Sequence, residues 1–171
     1  MGMDVSGRNP RTDAGVYFRR NVWGWHPLAT LVCKLAPRFT CHCRRWHSND
    51  GDGLNATNAK RLAAALNTAL GSGKVAMLVA LRVARLRRLP DESCTWCGGT
   101  GVRTDEIGRE HGLDQRTIDD VGHPRHGQTG WCNGCDGRGS NRPRETLYRV
   151  HEADVREFAD FVKNSGGFWI G

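Results

Sequence analysis

No apolar run in this 171-residue chain is longer than Val75 to Leu81, and Arg82 ends that one at once. A helix that crosses a bilayer needs about 20 apolar residues, so no membrane span is expected. The opening MGMDVSGRNPRTDAG has no hydrophobic stretch, which argues against a secretory signal and for a cytosolic, reducing location. Acidic residues are absent from Leu54 to Pro90. Residues 1–90 carry 15 basic and 4 acidic side chains, a net +11, whereas residues 91–171 carry 10 and 14, a net −4. A polyanion would therefore meet the first half of the chain and not the second.

Seven cysteines remain to be explained in a setting where paired thiols more often hold metal than form disulfides. Four of them lie in two copies of one pattern, C-x-x-C-x-G-x-G: Cys94-Thr95-Trp96-Cys97-Gly98-Gly99-Thr100-Gly101 and Cys132-Asn133-Gly134-Cys135-Asp136-Gly137-Arg138-Gly139. Two thiolates spaced by two residues grip one ion from a tight turn, and two such turns complete a tetrahedral shell. The glycines allow the positive φ and the close N–H approach to sulfur that such turns require. Cys94, Cys97, Cys132 and Cys135 are thus expected to bind one structural zinc ion. Cys33, Cys41 and Cys43, with His42 and His47, leave two readings open: a second metal site, or free thiols. The Cys41-x-Cys43 bite is unusual for one zinc, and no glycine knuckle follows it.

The repeat resembles the cysteine-rich zinc-binding region of DnaJ-type chaperones, in which four copies hold two zincs and the outermost copies share one. Here two copies stand 34 residues apart (98–131), and the similarity covers roughly residues 94–139. A J-domain needs a His-Pro-Asp turn. The nearest strings, His26-Pro27-Leu28 and His123-Pro124-Arg125, lack the aspartate. Over most of its length the chain is also similar to small actinobacterial and actinobacteriophage proteins of DnaJ-like type. That impression rests on Tyr17-Phe18-Arg19-Arg20-Asn21-Val22-Trp23-Gly24-Trp25-His26-Pro27-Leu28, Asn49-Asp50-Gly51-Asp52-Gly53-Leu54, Gly130-Trp131-Cys132-Asn133-Gly134-Cys135-Asp136-Gly137, and Val155-Arg156-Glu157-Phe158 with Ser165-Gly166-Gly167-Phe168. The resemblance implies a cytosolic zinc protein, in host cytosol if phage-encoded, and transfers no active site.

The pattern of residues points to an α+β protein in three regions: a basic helical region 1–90, a zinc module 91–144, and a C-terminal strand-helix-strand 145–171 packed on the rest. Residues 1–15 read as a loose arm and 16–25 as extended or turn. Pro27 suits the first position of a helix running to Leu35, with Leu28, Leu31, Val32 and Leu35 on one face. Ser48-Asn49-Asp50-Gly51-Asp52-Gly53 imitates half of a calcium loop, but Ala59 stands where the bidentate glutamate belongs, so an Asx-rich turn is expected. Asn55 then caps a helix ending at Gly71 that buries Leu62, Ala63, Leu66 and Leu70. A second helix, Lys74 to Leu89, follows so soon that an antiparallel hairpin is expected. Its apolar residues are Leu78, Leu81, Ala84 and Leu86. Between the knuckles a short helix is expected near 114–121, with His123 and His126 as surface histidines. Leu147–Val150 alternates as a strand, Glu152–Lys163 as an amphipathic helix with Val155, Phe158, Ala159 and Val162 inward, and Phe168–Ile170 as a buried terminal strand.

Three chemistries compete. A closed shell of four thiolates leaves no coordination position for substrate, which favours a non-enzymatic binding or adaptor protein with structural zinc. Its partner would be an unknown host or phage protein, or nucleic acid through residues 1–90, where Lys74, Arg82, Arg85 and Arg88 are the candidate phosphate contacts. An HNH-type metal nuclease needs an Asp-His pair after the first knuckle, but Glu106 follows Asp105 and Asp136 follows Cys135. A thiol–disulfide oxidoreductase is suggested by Trp131-Cys132-Asn133-Gly134-Cys135, yet Asp136-Gly137-Arg138-Gly139 is a poor start for the helix that activates such a cysteine.

Overall fold

The computed structural model describes residues 2–171, in two compact units: residues up to Arg87 together with Leu147–Gly171, and Arg88–Thr146. The first unit begins with β1 (Gly2–Gly7), β2 (Tyr17–Asn21), α1 (Val22–Leu35), α2 (Pro37–Thr40), β3 (Asp52–Asn55), α3 (Ala56–Gly71) and α4 (Lys74–Arg87). The second holds β4 (Glu92–Ser93), α5 (Glu106–Glu110) and β5 (Ser140–Asn141). The chain then returns to the first unit for α6 (Glu152–Asn164) and β6 (Gly167–Ile170). The protein is mixed helix and strand, as its sequence pattern indicates.

One antiparallel sheet, in the order β2-β1-β6-β3, organises the first unit. The segment expected to be a loose arm supplies one of its two inner strands. Val5 faces Phe18 on one side and Ile170 on the other, and Met3 and Val5 alternate into the core. The last residues pair as expected: Phe168 and Ile170 are buried, whereas Trp169 points out. At Gly166 and Gly167, φ values of +63° and +96° turn the chain from α6 into β6, a bend that a side chain would strain.

Helices α1, α3 and α6 close the core around Phe158. That ring lies 5.1 Å from Phe18, 5.8 Å from Trp25, 6.2 Å from Trp46 and 6.1 Å from Phe168, mostly edge to face. Val155, Ala159 and Val162 are buried beside it, as the amphipathic spacing requires. Outside the core, Arg20 on β2 pairs with Asp154 and Glu157 of α6.

Caps decide where the helices begin. Asn55 accepts from the N–H of Asn58 at 2.9 Å and starts α3 where expected. Helix α1 starts earlier than Pro27: Asn21 accepts from the N–H of Gly24 at 2.9 Å, and Pro27 lies inside the helix. Asp52 stands at the start of β3 and not in a calcium loop. Its carboxylate accepts from the N–H groups of Arg44, Arg45 and Gly53 and fixes the preceding loop.

Other expectations give way. The axes of α3 and α4 differ by 74° across Ser72-Gly73, a corner and not an antiparallel hairpin. Residues 144–147 form a 3-10 turn, and residues 148–150 belong to no helix or strand. Local alternation at Leu147–Val150 was insufficient to make a strand, because the sheet's edges are β2 and β3 and this segment meets neither.

Candidate metal centre

In the second unit a two-stranded ladder brings the knuckles together, with Glu92 opposite Asn141 and Ser93 opposite Ser140. The N–H of Cys94 donates to the carbonyl of Gly139 at 2.8 Å, so the first turn begins where the second ends. Each turn then repeats the same bonding. The N–H of Gly101 points at Cys97 Sγ (3.3 Å), and the N–H of Gly139 points at Cys135 Sγ (3.2 Å). Both glycines have positive φ, +75° and +80°. A Cβ on Gly101 would lie 2.3 Å from the carbonyl of Gly137, and one on Gly139 the same 2.3 Å from that of Gly99. The turns therefore cross at a local two-fold relation that excludes side chains from both sequences at the matching place.

The four sulfurs meet at that crossing. Cys94 Sγ is 3.9 Å from Cys132 Sγ, Cys97 Sγ is 3.7 Å from Cys135 Sγ, and all four lie within 4.8 Å of one another. A disulfide would bring a pair to about 2.05 Å. A tetrahedral ion with Zn–S bonds of about 2.3 Å sets sulfurs about 3.8 Å apart. Cys94, Cys97, Cys132 and Cys135 are all buried, with Cys132 wholly enclosed. The donor set and its spacing can hold a metal ion, consistent with zinc. Among the described residues this is the one place where three or more His, Cys, Asp or Glu ligand atoms converge.

Proton affinities within the cluster differ although the turns match. Burial pushes the Cys97 thiol up, but the N–H groups of Gly101 and Gly99 and the sulfurs of Cys135 and Cys94 outweigh it and hold it below the usual thiol range. Burial dominates at Cys132 and Cys135 and raises both. Four buried thiols cannot all ionise against one another, and a divalent ion removes the conflict by taking the place of the protons.

Two residues outside the knuckles brace them. Arg103, 8% exposed, donates to Asp105 (Nε to Oδ1, 2.8 Å) and to Asn133 Oδ1 (3.0 Å), and its guanidinium lies 4.5 Å from the centre of the Trp96 ring. It thus ties the residue after Cys132 to the residue before Cys97, beside the sulfurs. His123 is buried and not a surface histidine. Its Nε2 is 2.6 Å from the carbonyl of Asp136, and its Nδ1 accepts from the N–H of Arg125. It pins Asp136, at +52° the one non-glycine residue with positive φ among the described residues. The linker's helix is α5 and not 114–121. Asp105 caps it through the N–H of Gly108, while the later segment forms a bridge between Thr117 and Thr129. Sequence spacing carries no signal for Arg103, whose partner Asn133 is 30 residues away.

The other candidate residues do not gather into a site. Cys43 is buried and its thiol is pushed up to about 12, chiefly by burial; Cys33 is half-buried and Cys41 exposed. His47 pairs instead with His26, Nδ1 to Nδ1 at 2.9 Å with the rings stacked. Lys74 and Arg85 are exposed on α4. Arg82 is half-buried and donates to the carbonyl of Tyr148 at 3.1 Å. Arg88 follows the end of α4 and belongs to the second unit. The arginine spacing of three thus yields no single helical stripe. Comparison with protein-family models, with curated proteins and with solved structures gives no match.

Proposed function

We propose that this protein is a zinc-stabilised binding or adaptor protein, with a metal centre that serves structure and a basic first unit that meets a macromolecular partner. The observation carrying this reading is the buried four-sulfur cluster, spaced as a tetrahedral shell, in which every coordination position is filled by the chain itself. A metal so enclosed has no place for water or substrate. Two observations support this reading over HNH nuclease or oxidoreductase chemistry: Asp105 is engaged with Arg103 and the cap of α5, and Cys132 is wholly buried. The knuckle pair is taken as a DnaJ-like module working without a J-domain, in a reducing cytosol, and a phage accessory role on host machinery fits that likeness.

Metal analysis of the purified chain tests the structural half, with one zinc per chain expected. Zinc-loaded protein is expected neither to nick plasmid DNA with magnesium nor to reduce insulin. Turnover in either assay would replace this reading with the corresponding enzyme. Titration with labelled DNA, RNA and unfolded polypeptide at two salt concentrations tests the binding half, because phosphate contacts weaken steeply as salt rises.

A further inference from the structure

Helix α4 buries Val75 and Leu86 but leaves other apolar residues in solvent. Met77 is 53% exposed and Leu81 59%, and Val83 also faces solvent. Next to it, within the first unit, a cleft of about 250 Å³ runs between α1 and α4 over Val150. Its α1 wall is Pro27, Thr30, Leu31 and Lys34; its α4 wall is Leu78, Leu81, Arg82 and Arg85, with Val79 beside them. Each set has the spacing i, i+3, i+4, i+7, so each helix gives the cleft one continuous stripe over two turns, about 10 Å long. Two such stripes, one on each side of an apolar floor, can seat the ridge of a third helix.

The charge on the walls is of one sign. Lys34, Arg82 and Arg85 line the cleft, and no acidic residue does. Arg82 is held in place by the carbonyl of Tyr148, and its Nε is buried without a hydrogen-bond partner among the described residues. Phosphate backbones gain nothing from a floor of Leu31, Leu78 and Val150. A helix with leucine-type anchors and acidic flanks matches both the floor and the rim.

We infer that the α1–α4 cleft is a docking groove for an acidic amphipathic helix of a partner protein. This deepens the adaptor reading and rests on it. Exposed Met77 extends the apolar surface beyond the cleft, and exposed Lys34 supplies charge selection at its α1 edge.

The test uses the full zinc-loaded chain and a fluorescein-labelled 16-residue helical peptide, with leucines at i, i+3, i+4 and i+7 and glutamates between them. Controls are a permuted peptide of the same composition, a version with lysine for glutamate, a DNA duplex, and decanoate. The glutamate helix is expected to bind at least about tenfold more tightly than the permuted and lysine peptides. Leu81→Asp, at an exposed position, should reduce binding at least about tenfold with helicity and zinc content unchanged. Lys34→Glu should shift the preference toward the lysine peptide. Equal binding of the permuted peptide, indifference to Leu81→Asp, or displacement of the peptide by decanoate or duplex would overturn the inference. If the peptide does not bind while the DNA or unfolded-polypeptide titration succeeds, the groove is wrong and the adaptor reading stands. If zinc is absent while the peptide binds selectively, the groove stands and the structural-zinc reading falls.

Discussion

The first unit closes its interior with aromatic and aliphatic side chains, the second with sulfur. Around Phe158 the first unit buries Trp25, Phe18, Phe161, Phe168 and the inward faces of α1, α3 and α6. In Arg88–Thr146 the buried apolar side chains other than the four cysteines reduce to Ile118 and Pro143. Domains of this size depend on metals or disulfides when their apolar core is thin. On the proposed reading, the hydrophobic effect carries one unit, and coordination bonds carry the other.

Removing the metal should break this comparison most completely. With a strong chelator, amide signals of residues 88–146 should collapse to the random-coil range while those of α3 and α6 stay dispersed in the same NMR spectrum. Falling pH should act in the same direction, since protons compete with the metal for the sulfurs. Concerted loss of both units, or no change in either, would show that the metal is not what separates them.

The converse change is in the aromatic core. Phe158→Ala should cost the first unit about 3–5 kcal/mol by leaving a cavity among five rings, and zinc content should not change. Denaturant unfolding followed beside metal release measures both. Coupled loss would mean that the units do not stabilise themselves separately.

A smaller effect is expected from Arg103→Met, which keeps bulk over Trp96 but removes the bonds to Asp105 and Asn133. Apparent zinc affinity should fall about tenfold in a chelator competition, with the first unit untouched. Smallest is a pH effect in the first unit. Burial, then the neighbouring His26 ring, holds His47 below the usual imidazole range. The unfolded chain therefore takes up the proton first, so this contribution is present above the unfolded pKa and is lost as pH falls through the folded one. His47→Gln should flatten the slope of first-unit stability between about pH 7 and pH 5; an unchanged slope would assign it elsewhere.

The sulfur cluster was legible in the sequence because its information is local: each knuckle carries its own ligands, its bite and its glycines within eight residues. Helix α3 was legible for a similar reason, with Asn55 as cap and Leu62, Ala63 and Leu66 at helical spacing. What escaped the sequence reading depends on distant partners. Strand β1 is short and half polar, and it makes sense only beside Ile170, at the other end of the chain. Arg103 has meaning through Asn133, and His123 through Asp136. Helix α5 escaped because Gly108 lowers helix propensity inside a five-residue element, which the Asp105 cap offsets. Helix α4 was recognised, but its apolar residues gave no sign that so many would stay in solvent.

The central claim is that one ion, coordinated by sulfur alone, holds residues 88–146 in their fold. X-ray absorption at the zinc edge of the purified protein measures this directly. The account predicts four sulfur scatterers at about 2.3 Å and no nitrogen or oxygen in the shell. A mixed shell, or protein that folds fully with no metal bound, would contradict it.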